Sequence, residues 1–89
     1  LISNDIIVVM ISYPISTEYF NEIKNNKIVN EIKEFFADTA LTFDGIYYLD
    51  LSSSIANPIL FQDQDHLNSK GAEFFNHILI NNLKELNLI

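Results

Sequence analysis

The chain has 89 residues, a net charge of −7, 48% hydrophobic residues and no cysteine. That length allows one small domain at most, and the apolar content is too high for disorder. The charge argues against nucleic-acid binding, since five Lys spread singly make no basic surface to neutralise phosphates, and an anionic membrane would repel the chain.

Without cysteine there is no disulfide framework and no thiolate chemistry, although the compartment stays open. The chain starts "LISND", with neither an initiator Met nor a basic n-region. No signal peptide is visible, and the start reads as internal to a longer protein. The longest aliphatic run, Ile6 to Ile11, is far too short to span a membrane, so no insertion by this segment is expected.

The first predicted element is a strand in "DIIVVMISYP". Six aliphatic or Met side chains follow Asp5 without alternation, the pattern of an interior parallel strand buried on both faces. Pro14 ends it, because proline has no N–H for the ladder and restrains Tyr13.

A helical stretch follows, with Ser16 or Thr17 as N-cap and Glu18 near the positive end of the helix dipole. Phe20 and Ile23 share one face, while Ile28, Ile32, Phe35 and Phe36 share another. At about 100° per residue the two stripes are offset by roughly a quarter turn. A kink or break is therefore expected near Asn25-Asn26.

Asp44-Gly45 signals a turn, and Ile46 to Leu51 reads as the second strand, stopped by Ser52, Ser53 and Ser54. Residues 52–65 read as a loop containing Pro58, long enough to suggest a functional role. The last element is a helix starting near Asn68 or Ser69. Phe75, Ile78, Leu79, Leu83 and Leu86 give it a core-facing stripe.

The order strand, helix, strand, loop, helix predicts a βαβ crossover with a terminal helix. A strand apolar on both faces needs helices above and below and a strand on each side, which two strands and two to three helices do not supply. The expected class is therefore α/β, with residues 1–89 as the C-terminal part of one doubly wound parallel-sheet domain and no second domain.

In such sheets, sites form beyond the carboxyl ends of the strands. That rim holds Ser12-Tyr13-Pro14, Asp50, the 52–65 loop and, if the last helix runs back, Asp63 and His66. A neutral imidazole accepts a proton near pH 7, provided an acceptor holds its other ring nitrogen. A carboxylate does this and stabilises the imidazolium. Asp63, three residues before His66, can reach it, although Asp-x-x-His alone is a weak motif.

The wider string is more specific. Asp63, His66, Leu67, Asn68, Gly71, Ala72 and Phe75, in the pattern D-x-x-H-L-N-x-x-G-A-x-x-F, resemble the closing block of the SGNH/GDSL hydrolase superfamily. There the block follows the last strand and opens the C-terminal helix. The strand ending at Pro14 and the "YYLDLSS" strand resemble the two strands before it. "HLNSKGA" is most similar to the branch that transfers acyl groups onto cell-envelope sugars, and lipases and esterases share much of the string.

The resemblance implies a flavodoxin-like three-layer fold and a serine esterase or O-acyltransferase acting on ester or acylated-sugar substrates. His66 would be the general base and Asp63 its orienter. Asn68, at the helix start, and Gly71, allowing close helix–sheet packing, would be structural. It implies no metal or organic cofactor, and a bacterial cell-envelope or periplasmic setting.

The family's Gly-Asp-Ser block and its oxyanion-hole Gly and Asn blocks have no match in this sequence. Ser52, Ser53 and Ser54 follow the wrong strand to replace the nucleophile. The expected partner is therefore a missing N-terminal part of the same domain, and the chain alone should be inactive. The alternative is a non-catalytic flavodoxin-like module used for binding or assembly.

Other features read as structural. Asp65, adjacent to His66, is expected to point into solvent. A metal site from Asp63, Asp65 and His66 lacks a further ligand, since the other histidine, His77, sits on the last helix. An Asp63-x-Asp65 sugar-nucleotide site lacks a basic phosphate partner. Asp50 is expected to bond loop N–H groups, Tyr13 to line a cleft or pack, and the Phe35-Phe36 and Phe74-Phe75 pairs to be core.

Overall fold

The computed structural model describes residues 6–89. Residues 1–5, including the Asp5 that precedes the first apolar run, lie outside the described residues. The architecture is mixed α/β. β1 (Val8–Ser12) leads into α1 (Thr17–Ile23) and α2 (Lys27–Thr42), then β2 (Ile46–Asp50). A 3-10 turn (Pro58–Leu60), a hairpin of β3 (Phe61–Asp63) and β4 (His66–Leu67), and α3 (Ser69–Glu85) complete it.

β1 and β2 pair in parallel, with Val8 opposite Ile46 and Ser12 opposite Asp50. Gly45, at φ 80°, makes the turn into β2, a backbone state open to glycine at little cost. The helical stretch breaks where expected. Ser16 caps α1 by accepting from the Tyr19 N–H at 3.2 Å. Asn26 caps α2 by its side chain, which accepts from the Val29 N–H at 3.0 Å, while its backbone N–H donates to the Ile23 carbonyl at the end of α1.

The core gathers around the second half of the chain. Leu51, Ile55 and Phe75 are buried, with Leu49, Leu60, Phe61, Leu67, Ile78 and Leu79 packed against them. Phe36 of α2 stacks on Tyr48, ring centroids 5.6 Å apart. Alternate strand residues point to opposite faces, so α2 lies on the Tyr48 face of β2 and the α3 cluster on the Leu49 face.

Several expectations need correction. β1 is not buried on both faces: its residues are half-buried and Ile11 is exposed. The reason is that β2 is its single partner among the described residues. On α2, Ile28, Ile32 and Phe35 face solvent, and Phe35 is 67% exposed. Val29, Lys33, Phe36, Ala37, Thr39 and Ala40 are the half-buried positions of that helix. The small Ala37 and Ala40 let the backbone approach β2, so α2 is rotated away from its larger apolar stripe. Phe74 is likewise exposed on α3, leaving Phe75 and Phe36 as the packed members of the two pairs. Residues 52–65 are not a plain loop, since they hold the 3-10 turn and β3.

Candidate functional site

The Asp63–His66 pair is built by a hairpin. Asp63 and His66 are opposite each other across the β3–β4 ladder, with Gln64 and Asp65 as its two-residue turn. Directly opposed residues in an antiparallel pair bring their side chains together on one face. Asp63 Oδ1 lies 2.8 Å from His66 Nδ1. Sequence spacing leads to this contact, but the cause is a cross-strand pair and not an open loop.

The hairpin is fixed on both sides. The Ser16 N–H donates to the Gln64 carbonyl at 2.9 Å, and the Ile15 N–H to the Ser52 carbonyl at 3.0 Å. The first bond holds the hairpin beside the segment that leaves β1, and the second ties that segment to the chain leaving β2, at the carboxyl ends of the parallel strands. On the other side Asn68 caps α3 by accepting from the Gly71 N–H at 2.9 Å. It also donates from its amide to the Ile59 carbonyl at 2.6 Å. A Cβ on Gly71 would sit 2.0 Å from the Leu60 carbonyl oxygen. The glycine therefore serves close packing on the 3-10 turn and, through Leu67, on β4 of the hairpin.

Asp65 corrects the expectation that it points away. Its Oδ1 lies 3.0 Å from the same His66 Nδ1. The tight turn curls the chain so that the Asp65 N–H donates to Asp63 Oδ1 at 3.1 Å, and the Asp65 carboxylate comes beside Nδ1. The signal was in the Asp-x-Asp-His string, because an Asp that accepts from the N–H two residues on forms a tight turn.

The three side chains are exposed, His66 by 67%, Asp63 by 51% and Asp65 by 55%. The hydrogen bond from His66 is the main cause holding the Asp63 carboxyl below its ordinary 3.8. The bond to Asp63 comes first in raising His66 above 6.5, followed by the Asp63 and then the Asp65 charge. Among the described residues His66 Nε2 makes no hydrogen bond. A depression of about 210 Å³, lined by Ser16, Glu18, Pro58, Phe61, Asp63 and Gln64, adjoins the pair.

Asp63, Asp65 and His66 offer three ligand atoms within 4.8 Å of one another. The set fits a divalent ion in chemistry but supplies an incomplete shell. His77 is exposed on α3 and does not belong to this cluster.

A second polar group, which sequence spacing does not reveal, ties α2 to the end of β2. Lys33 Nζ lies 3.1 Å from Asp50 Oδ2 and 2.8 Å from Ser52 Oγ. Ser52 Oγ donates to Asp50 Oδ1 at 2.6 Å, and the Ser52 N–H donates to the same atom at 3.2 Å. Burial would raise the Asp50 carboxyl, but bonds from Ser52 and Lys33 outweigh it and hold the group below 3.8. Asp50 thus bonds a loop N–H as expected. Ser54 donates to the Leu51 carbonyl at 2.7 Å. Neither Ser52 nor Ser54 is hydrogen-bonded to His66. Tyr13 packs against Phe75 with the rings tilted by 57° and their centroids 4.6 Å apart, and remains 52% exposed.

In comparisons with known proteins, no family model, no curated protein and no solved structure matches this chain.

Proposed function

We propose that this chain is the C-terminal part of an SGNH-like, flavodoxin-like three-layer domain that acts as a serine esterase or O-acyltransferase on ester or acylated-sugar substrates. The observation that carries the reading is the 2.8 Å contact from Asp63 to His66 Nδ1. It fixes the tautomer that carries the proton on Nδ1 and leaves Nε2 as the basic nitrogen. Support also comes from α2 packing on one face of β2 while the cluster of Leu51, Ile55 and Phe75 meets Leu49 on the other, and from the open edge and apolar flank of β1 and α2, which further strands and helices of one domain would cover.

In the proposed reaction His66 Nε2 takes the proton of a serine hydroxyl supplied by the rest of the domain as that oxygen attacks the ester carbonyl. The proton passes to the departing alkoxide, leaving an acyl-serine. His66 then deprotonates water or a sugar hydroxyl, which releases the acyl group and restores the serine. Asp63 stabilises the imidazolium at each stage. No cofactor takes part in the steps proposed.

The test is ester hydrolysis by the full-length protein. His66→Ala should lower turnover of an activated acetate ester by about 10²–10⁴-fold and leave the circular dichroism spectrum unchanged, because His66 is exposed. Turnover should rise with pH through an ionisation above 6.5, since the base form is the neutral ring and its proton is held more tightly than usual. Unchanged turnover in His66→Ala would reject the base assignment. The exposure of His66 favours the non-catalytic module instead if nothing else covers the rim, and a full-length protein with no serine-reactive group would establish that alternative.

A further inference from the structure

The Asp63–His66 pair has a third member that a simple relay does not need. We propose that Asp65 is a second positioning residue for His66, sharing the Nδ1 proton with Asp63, so that two carboxylates hold the base. The inference rests on the acyl-transfer reading for its catalytic meaning and on geometry for its existence.

The distances place both acceptors on one nitrogen. Asp63 Oδ1 stands 2.8 Å and Asp65 Oδ1 3.0 Å from Nδ1. The Nδ1–H is hydrogen-bonded to Asp63 Oδ1, the Asp65 oxygen stands beside it as a charged contact, and a small rotation of the ring turns the N–H from the first acceptor toward the second. The turn keeps the two oxygens together without bringing the carboxylates into unrelieved repulsion. Asp63 Oδ1 accepts from the Asp65 backbone N–H at 3.1 Å, which places a positive dipole between the charges. Among the described residues no other carboxylate comes within 4.0 Å of the His66 ring nitrogens. Glu18, from α1, lines the adjoining depression together with Asp63 but does not reach the ring. Asp63 comes from β3 and Asp65 from the turn, so these two elements supply the charges facing the imidazole.

Two functional consequences follow. Removing either carboxylate leaves the tautomer held by the other. A second negative charge beside the ring also stabilises the imidazolium, which both increases the basicity of Nε2 and moves the pH at which the base becomes available upward.

The experiment measures two quantities in the full-length protein with histidine isotopically labelled: the His66 titration by NMR, and ester turnover against pH. The proteins compared are the parent, Asp63→Asn, Asp65→Asn and the double variant. Each single variant should lower the His66 pKa, and the double variant should lower it further than Asp63→Asn does. Turnover in either single variant should stay within about tenfold of the parent. The double variant should fall toward the roughly 10⁴-fold loss known for a relay deprived of its one carboxylate, with the rising, acidic limb of its pH profile moved to lower pH. A His66 titration unmoved by Asp65→Asn, or a double variant that titrates like Asp63→Asn, would overturn the proposal. If the titrations shift as stated but the parent turns over no ester, the shared proton stands and the acyl-transfer reading fails. If the parent is active and Asp65→Asn shifts nothing, the reading stands and the role of Asp65 fails.

Discussion

The two halves of this chain use apolar residues differently. From β2 onward they find partners within the chain: Leu51, Ile55 and Phe75 are buried and six more hydrophobics close around them. Before β2 many do not, although Phe36 packs on Tyr48. Ile6, Ile7 and Ile11 around β1, and Ile28, Ile32 and Phe35 on α2, are all exposed. Both halves are equally apolar in pattern, so the difference lies in the partners present. A periodic stripe records what a helix is built to bury, but not whether the burying surface belongs to the same stretch of chain. The flank of α2 that adjoins β2, at Ala37, Ala40 and Leu41, still opens onto a groove of about 420 Å³, so the sheet is incompletely covered on that side as well.

The largest expected effect is in the closed half. Phe75 is 2% exposed and stacks on Tyr13. Phe75→Ala should cost about 3–5 kcal/mol in urea unfolding, because the site loses transfer energy and leaves a cavity. A loss under about 1 kcal/mol would mean that this half is no better packed than the other. Gly71→Ala should come next, at about 1–3 kcal/mol. Its new methyl would overlap the Leu60 carbonyl, which belongs to the rigid 3-10 turn and not to a flexible side chain. Because Asn68 bonds across the same junction, the variant should also perturb the His66 NMR resonance. An unshifted resonance would uncouple the helix junction from the hairpin.

Much of the closed half was readable in advance. The strand at 46–50, the Asn68 cap and the α3 stripe rest on local rules of propensity, capping and periodicity, which act within a few residues. The break at Asn25-Asn26 was readable for the same reason. The face of α2 was not, because Lys33 is placed by Asp50, seventeen positions away, and a lysine on the sheet side looks like solvent in a pattern of hydrophobic letters. The hairpin was missed because β3 and β4 are three and two residues long, too short for alternation to show. That omission also hid Asp65, whose direction depends on the tight turn.

Lys33→Met probes the tie between the halves and should cost about 1 kcal/mol, a charged hydrogen bond discounted for solvent screening. Asp50 has a depressed carboxyl, so its contribution is present above the unfolded value and lost as pH falls through the folded one. The stabilities of parent and variant should therefore converge at acid pH. A gap that stays constant down to pH 2 would assign the loss to the Lys33 ammonium over the Phe20 ring, 5.5 Å from its centroid.

The hairpin pair should contribute still less, in a bounded window. His66 has a raised value, so its stabilisation is complete below 6.5 and disappears as pH rises through the folded value. Asp63 has a lowered value, so its stabilisation is present above 3.8 and disappears as pH falls through the folded value. The difference between the parent and Asp63→Asn should thus be greatest between those two pH values and shrink on either side. A difference that grows steadily toward alkaline pH would contradict the ion pair.

The smallest effect is expected on the open flank, and there a near-zero result is the informative one. Ile32 is 50% exposed on α2, and lysine is as good a helix former as most residues. If the flank is open, Ile32→Lys in the 89-residue chain should change stability by no more than about 0.5 kcal/mol. The same substitution in a longer protein that covers the flank should cost about 2 kcal/mol or more, since a buried isoleucine would become a buried charge. Equal small costs in both would show that α2 faces water in the whole protein too, and the open half would then be an exposed surface in its own right. A large cost in the 89-residue chain would show that copies of the chain already cover the stripe. In that case sedimentation should detect an oligomer that Ile32→Lys dissociates, despite a net charge of −7 on each copy.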